Sequence, residues 1–146
     1  MKAHRRHQSV AVRLRPWLGL AVLLFGLRVA AQYLELLWPA APLPEFDAWS
    51  SGLIPYPQLF VLQCLLLWGM VHLCRSLPGI RPSPVLGRVL MYLALTYFSV
   101  MCLRFLTALF NLSHIRWFQL ALPSFFHMVL AAYLGLVARF HLRGSQ

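Results

Sequence analysis

The chain has 146 residues, of which 60% are apolar and 11% charged, and a formal net charge of +10. Soluble domains carry about 25% charged residues, so the composition excludes a water-facing surface over most of the chain and points to lipid as its solvent. The cations are Lys2 and twelve arginines, set mainly at the ends of apolar runs, against only Glu35, Glu45 and Asp47; that spread excludes the continuous basic patch of a nucleic-acid binder and suits anionic headgroups.

The N-terminal tail carries Lys2, Arg5, Arg6, Arg13 and Arg15. The first apolar run follows, over residues 16–38, and reaches the roughly 20 residues a spanning helix needs. Residues 1–31 also have the outline of a secretory signal, with Val29-Ala30-Ala31 before Gln32. Arg28 interrupts that outline, and apolar character resumes after Gln32, so a retained helix is the preferred reading. Arg28, Gln32 and Glu35 lie at offsets of four and seven, hence on one helical stripe, which Trp17, Ala21 and Leu24 are expected to continue. A stripe of that polarity should face protein, and Arg28 needs a partner there.

Residues 39–55 contain Pro39, Pro42, Pro44 and Pro55 and no Lys or Arg. Proline disfavours continued helix, and Trp38, Phe46, Trp49 and Tyr56 suit a membrane–water interface. A semi-rigid cap is expected, with one short interfacial helix near 45–53. The second span covers 56–74 and brings Gln63 and His72. A turn braced by Pro78, Pro82 and Pro84 follows, flanked by Arg75, Arg81 and Arg88. The third span covers 85–110, where Tyr97, Arg104 and Asn111 are spaced by seven and share a face. The fourth covers 119–140 and brings His127, with Pro123 a possible first-turn residue. Arg139 and Arg143 close the chain.

Read together, these segments predict an all-α polytopic membrane protein. A single domain over 1–146 forms a four-transmembrane-helix bundle. Arginine counts alternate high, low, high, low, high along the connecting segments, which places both ends in the cytoplasm by the positive-inside rule. The excess of arginine over lysine fits a GC-rich, bacterial genome and hence the bacterial inner membrane.

Gln32, Glu35, Gln63, Tyr97, Arg104 and His127, with Arg28 deeper, are expected to form one polar cluster in the outer half of the bundle. Two arginines meet one glutamate there, an ion pair between Glu35 and Arg104 is sterically feasible, and the remaining positive charge wants an anion. No catalytic or metal-ligating residue is assigned. Cys64, Cys74 and Cys102 form no C-x-x-C and read as small apolar residues. No cofactor is expected. Haem is disfavoured because His72 and His127 sit at different depths, with His4, His7, His114 and His141 in tails or a loop; a quinone remains an alternative. The expected role is an accessory or interaction subunit, or a binder of a lipid-like ligand. The alternative is a membrane enzyme or carrier for an anionic or quinone-like substrate. Expected partners are the bilayer and another membrane subunit or a second copy of the chain, with no nucleic acid.

Overall fold

An unbroken run of good helix formers explains why the first helix, α1 (Lys2–Leu37), begins well before the apolar segment does. No glycine or proline precedes Pro16, and Arg, Ala, Leu and Gln all favour helix. Pro16 sits inside the helix and gives up one backbone hydrogen bond. At 1.5 Å per residue α1 is about 54 Å long, so its basic first turns project beyond a hydrocarbon core of about 30 Å. A computed structural model describes residues 2–38, 43–49, 54–112 and 114–144, without the side chains of 2–7, 116 and 117.

The buried face of α1 is a seam of Ala11, Leu14, Leu18, Ala21, Phe25, Arg28, Gln32 and Glu35. Their spacing alternates three and four, the 3.5-residue period that keeps one face against its neighbours along a long helix. The expected continuation through Trp17 and Leu24 is thereby corrected. Trp17 is exposed and Leu24 half-buried on the rim, because a seven-residue repeat runs back from Arg28 and Gln32 to Ala21, Phe25, Leu14 and Leu18.

A 3-10 turn, Phe46–Trp49, lies in the described part of the cap; of the short helix expected near 45–53, Glu45 is not helical and residues 50–53 lie outside the described residues. Helix α2 (Tyr56–Ser76) starts with proline in its first turn. Its buried positions, Gln63 and Met70, continue to Leu77 at intervals of seven. Val61, Leu62, Leu65, Leu66 and Trp68 are exposed, so α2 touches the rest of the protein along one narrow line. A second 3-10 turn, Leu77–Gly79, leads to α3 (Pro84–Leu109), where Ser83 caps the helix by accepting from the Leu86 N–H at 3.4 Å.

Helix α3 ends in a Schellman arrangement. The Leu112 N–H donates to the Thr107 carbonyl and the Asn111 N–H to the Ala108 carbonyl. Asn111 supplies the left-handed residue, at φ 50°, which asparagine tolerates. A single helical turn, α4 (Arg116–Gln119), precedes α5 (Ala121–Gly144), whose first turn contains Pro123. The fourth span thus begins at Ala121, and His127 follows about 9 Å along it by helical rise.

Four helices are long and apolar enough to cross a membrane, over Gln8–Leu37, Tyr56–Gly79, Pro84–Leu109 and Ala121–Gly144. Helix α5 is the centre of the assembly, packing along α3 on one side and α1 on the other, while α2 leans on α1. Small residues let α3 and α5 approach: a Cβ on Gly135 would stand 3.8 Å from the Ala94 Cβ, and one on Gly87 would stand 2.9 Å from Leu142 Cγ. Such small-residue contacts are how apolar helices associate when lipid is as oily as their side chains. On its other face α5 turns Tyr133, Val137 and Phe140 into a core shared with Leu14, Leu18, Phe25, Met70 and Leu77. The Tyr133 hydroxyl donates to the Met70 carbonyl at 2.7 Å and fastens α2 to α5.

These contacts make neighbouring helices antiparallel. The first turns of α3 meet the last turns of α5, and the start of α1 meets the α2–α3 connection. The start of α1 and the end of α5 therefore lie at one end, called here the terminal end, and the described part of the 39–55 connection lies at the other, the cap end. His141, read from sequence as part of a tail, belongs to α5 and is buried. Its Nδ1 accepts from the Ser83 N–H at 3.1 Å, closing the terminal end.

Candidate functional site

The polar half of the α1 seam is the starting point. Arg28, Gln32 and Glu35 continue the same face that carries the apolar core, so burying that core draws them inward as well. All three are buried, with Gln32 at 0% exposure. From α2, Gln63 arrives because it lies one heptad above Met70 on the helix's only buried line. Its Nε2 donates to Gln32 Oε1 at 3.3 Å. Among the described residues, Gln32 Nε2 and Gln63 Oε1 have no hydrogen-bond partner. One buried donor and one buried acceptor are thus left over, a configuration that costs free energy unless something meets it.

Arg28 has a more defined surrounding. Its Nη2 donates to the Trp49 carbonyl at 3.0 Å. The guanidinium lies 5.5 Å from the Phe126 ring centre and 6.0 Å from that of Phe25, within the range of a cation–π attraction. Trp49 stacks on Phe126 at 6.5 Å and donates its indole N–H to the Pro44 carbonyl at 2.9 Å. The cap therefore folds down onto the cluster. Sequence reasoning had Trp49 in the interfacial aromatic belt, whereas it is 5% exposed and bridges α1 to α5. The signal that could have found it is the demand of Arg28 for an acceptor, which the chain meets with a carbonyl of the cap.

A second pair forms between the other helices. Tyr97 on α3 and His127 on α5 are hydrogen-bonded through the Tyr97 hydroxyl and His127 Nδ1, and their rings meet edge to face. Arg104, on the same face of α3, is 3% exposed. His127 lines the same cavity as Arg28 and Gln63, which joins the two pairs into one region.

Three of the seven residues singled out from sequence, Arg28, Gln63 and His127, line a common cavity of about 110 Å³ between α1, α2 and α5. Its other walls are apolar, from Phe25, Leu59, Pro123, Phe126 and Leu130. Leu62 and Leu66 complete it and are also exposed on α2, so the cavity communicates with the lipid-facing side of the protein. Gln32 and Tyr97 are bonded to the lining residues Gln63 and His127, while Glu35 and Arg104 are buried and do not line the cavity. Comparison with protein-family models, curated proteins and solved structures finds no match. The arrangement must therefore be read from its own chemistry.

That chemistry is amphiphilic. An apolar body can fill the Leu- and Phe-lined part, while the Arg28, Gln63 and His127 end offers hydrogen bonds and positive charge. Metal chemistry has a different geometry. His72 is exposed on α2, stacked on Trp68 at 5.5 Å, and is separated from Gln63 by about 13 Å of helical rise. Among the described residues, no three His, Cys, Asp or Glu side chains come together.

Proposed function

We propose that this chain is a non-catalytic, multi-pass membrane protein that holds a lipid-like molecule in the cavity between α1, α2 and α5. The carrying observation is Arg28: a buried guanidinium at the polar end of an apolar, laterally open cavity, held among the described residues by one carbonyl acceptor. An arginine keeps its charge in proteins and has five N–H donors. A ligand head bearing negative charge or carbonyl oxygens complements it, and Gln63 and His127 add further hydrogen bonds. The buried Gln32 and Gln63 atoms left over favour the same kind of occupant. A partner membrane subunit could present that head, which is how the accessory-subunit role and the ligand role meet at one site.

The same reading includes a Glu35–Arg104 ion pair, both termini in the cytoplasm, and residence in a bacterial inner membrane. The arginine asymmetry supports the orientation. A second reading, an enzyme or carrier for an anionic or quinone-like substrate, draws on the Tyr97–His127 hydrogen bond, since His127 would be the proton-exchanging group beside the Arg28 and Arg104 clamps.

Native mass spectrometry of protein extracted in mild detergent tests the binding claim. The wild type should carry a small amphiphilic adduct, and Arg28→Gln should lose it while remaining folded and monodisperse. A bare wild-type mass, or equal retention by Arg28→Gln, would remove Arg28 as the anchor.

A further inference from the structure

The terminal end has a feature that the Arg28 cavity leaves unexplained. A groove of about 250 Å³ lies between α1 and α2, lined by Arg15, Gly19, Val22, Val71, Cys74 and Arg75. Its chemistry is graded along the helix axes. Helix α1 runs away from the terminal end, so Arg15 is near that end and Val22 is about 10 Å deeper. Helix α2 runs toward it, so Arg75 is near the end and Val71 deeper. The antiparallel pair therefore places the backbones of both arginines nearer the terminal end than those of the two valines, with Arg15 at the mouth and Arg75 about level with Gly19. Both arginines are exposed, and no hydrogen bond or ion pair among the described residues engages either side chain. The acidic residues Glu35, Glu45 and Asp47 all belong to the cap end of the chain.

Gly19 forms part of the groove's wall. A Cβ there would meet nothing within 4 Å, so the glycine is not demanded by close helix packing. Its missing side chain instead leaves the space between α1 and α2 open toward lipid.

We propose that this groove is a binding site for an anionic glycerophospholipid of the leaflet at the terminal end. Arg15 and Arg75 bracket the headgroup phosphate, and the upper part of one acyl chain lies along Gly19, Val22 and Val71. The charge gradient of the groove matches that of a phospholipid aligned with the bilayer normal, and basic pockets between transmembrane helices are established lipid-headgroup sites. The site is separate from the Arg28 cavity in depth and in lining residues, and stands or falls independently of it.

The test uses the full chain in detergent, titrated with dioleoylphosphatidylglycerol or dioleoylphosphatidylcholine and read by native mass spectrometry. Phosphatidylglycerol should bind in preference to phosphatidylcholine. The double variant Arg15→Gln/Arg75→Gln should lose roughly tenfold or more in affinity, since each basic residue adds its own attraction. Gly19→Leu keeps both charges and fills the groove, and should lose affinity similarly while raising helix propensity. Arg28→Gln should leave this binding unchanged. Unaltered binding by Gly19→Leu overturns the proposal, as does a loss in the double variant no larger than in Arg88→Gln/Arg143→Gln, which would mean diffuse charge alone. A dimer that Gly19→Leu dissolves would assign the groove to a second copy of the chain and equally overturn it.

Discussion

Replacing Gly87 by alanine probes the contact that sets the α3–α5 spacing. A Cβ at that position would stand 2.9 Å from Leu142 Cγ, 3.0 Å from His141 Cβ and 3.0 Å from the Leu142 backbone nitrogen. Two of these neighbours are a backbone atom and a Cβ, so neither can swing aside without moving α5. Relief requires the helices to separate at the terminal end, straining the bond from the Ser83 N–H to His141. Overpacking of this kind costs about 1–3 kcal/mol. The helix-propensity gain of alanine over glycine largely cancels, because transmembrane helices persist in the unassembled state. Stability should therefore fall by about 1–3 kcal/mol in an SDS titration of detergent-solubilised protein followed by tryptophan fluorescence. Gly69→Ala is the internal control, since a Cβ there meets nothing within 4 Å, and it should be near neutral. A Gly87→Ala variant as stable as Gly69→Ala would refute the close approach of α3 and α5.

Three further outcomes follow from the same contacts. Trp49→Ala should destabilise the protein by about 3 kcal/mol, whereas Trp38→Ala, at an exposed position, should change stability by less than about 0.5 kcal/mol; equal effects in the same titration would return Trp49 to the interface. Gln32→Leu and Gln63→Leu should be non-additive, with a coupling energy of about 0.6 kcal/mol, and strict additivity in the double-mutant cycle would dismiss their hydrogen bond. Cys64 is exposed midway along α2, so in hydrocarbon its thiol should stay protonated and resist both uncharged and charged maleimides in intact membranes, reacting only after denaturation in SDS. Rapid labelling by the charged reagent would show water where the fold has hydrocarbon.

Several elements were legible because their causes are local. Each spanning helix is announced by an apolar run of sufficient length, and several helix ends by proline; the Ser83 cap and the left-handed turn at Asn111, a residue read from sequence as sharing the face of Tyr97 and Arg104, emerged only from the structure. The inward stripe of Arg28, Gln32 and Glu35 follows from helical geometry within one segment, and all three are buried as that stripe requires. The early start of α1 was missed because polarity, rather than helix propensity, was used to place it; the basic turns are helical without being membranous.

What the amino-acid order determined alone is thus the set of four helices, their approximate limits and the angular position of each polar side chain on its own helix, since these depend on neighbours within a few residues. It could not determine how each helix is rotated against the next. Only tertiary packing put α5 between α1 and α3, lowered Trp49 onto Arg28, drew His141 from an apparent tail into the closure of the terminal end and separated the cavity-lining Arg28, Gln63 and His127 from Gln32, Glu35, Tyr97 and Arg104. Those outcomes depend on where Gly87, Ala94 and Gly135 let two helices touch, a fit between distant surfaces that no local pattern encodes.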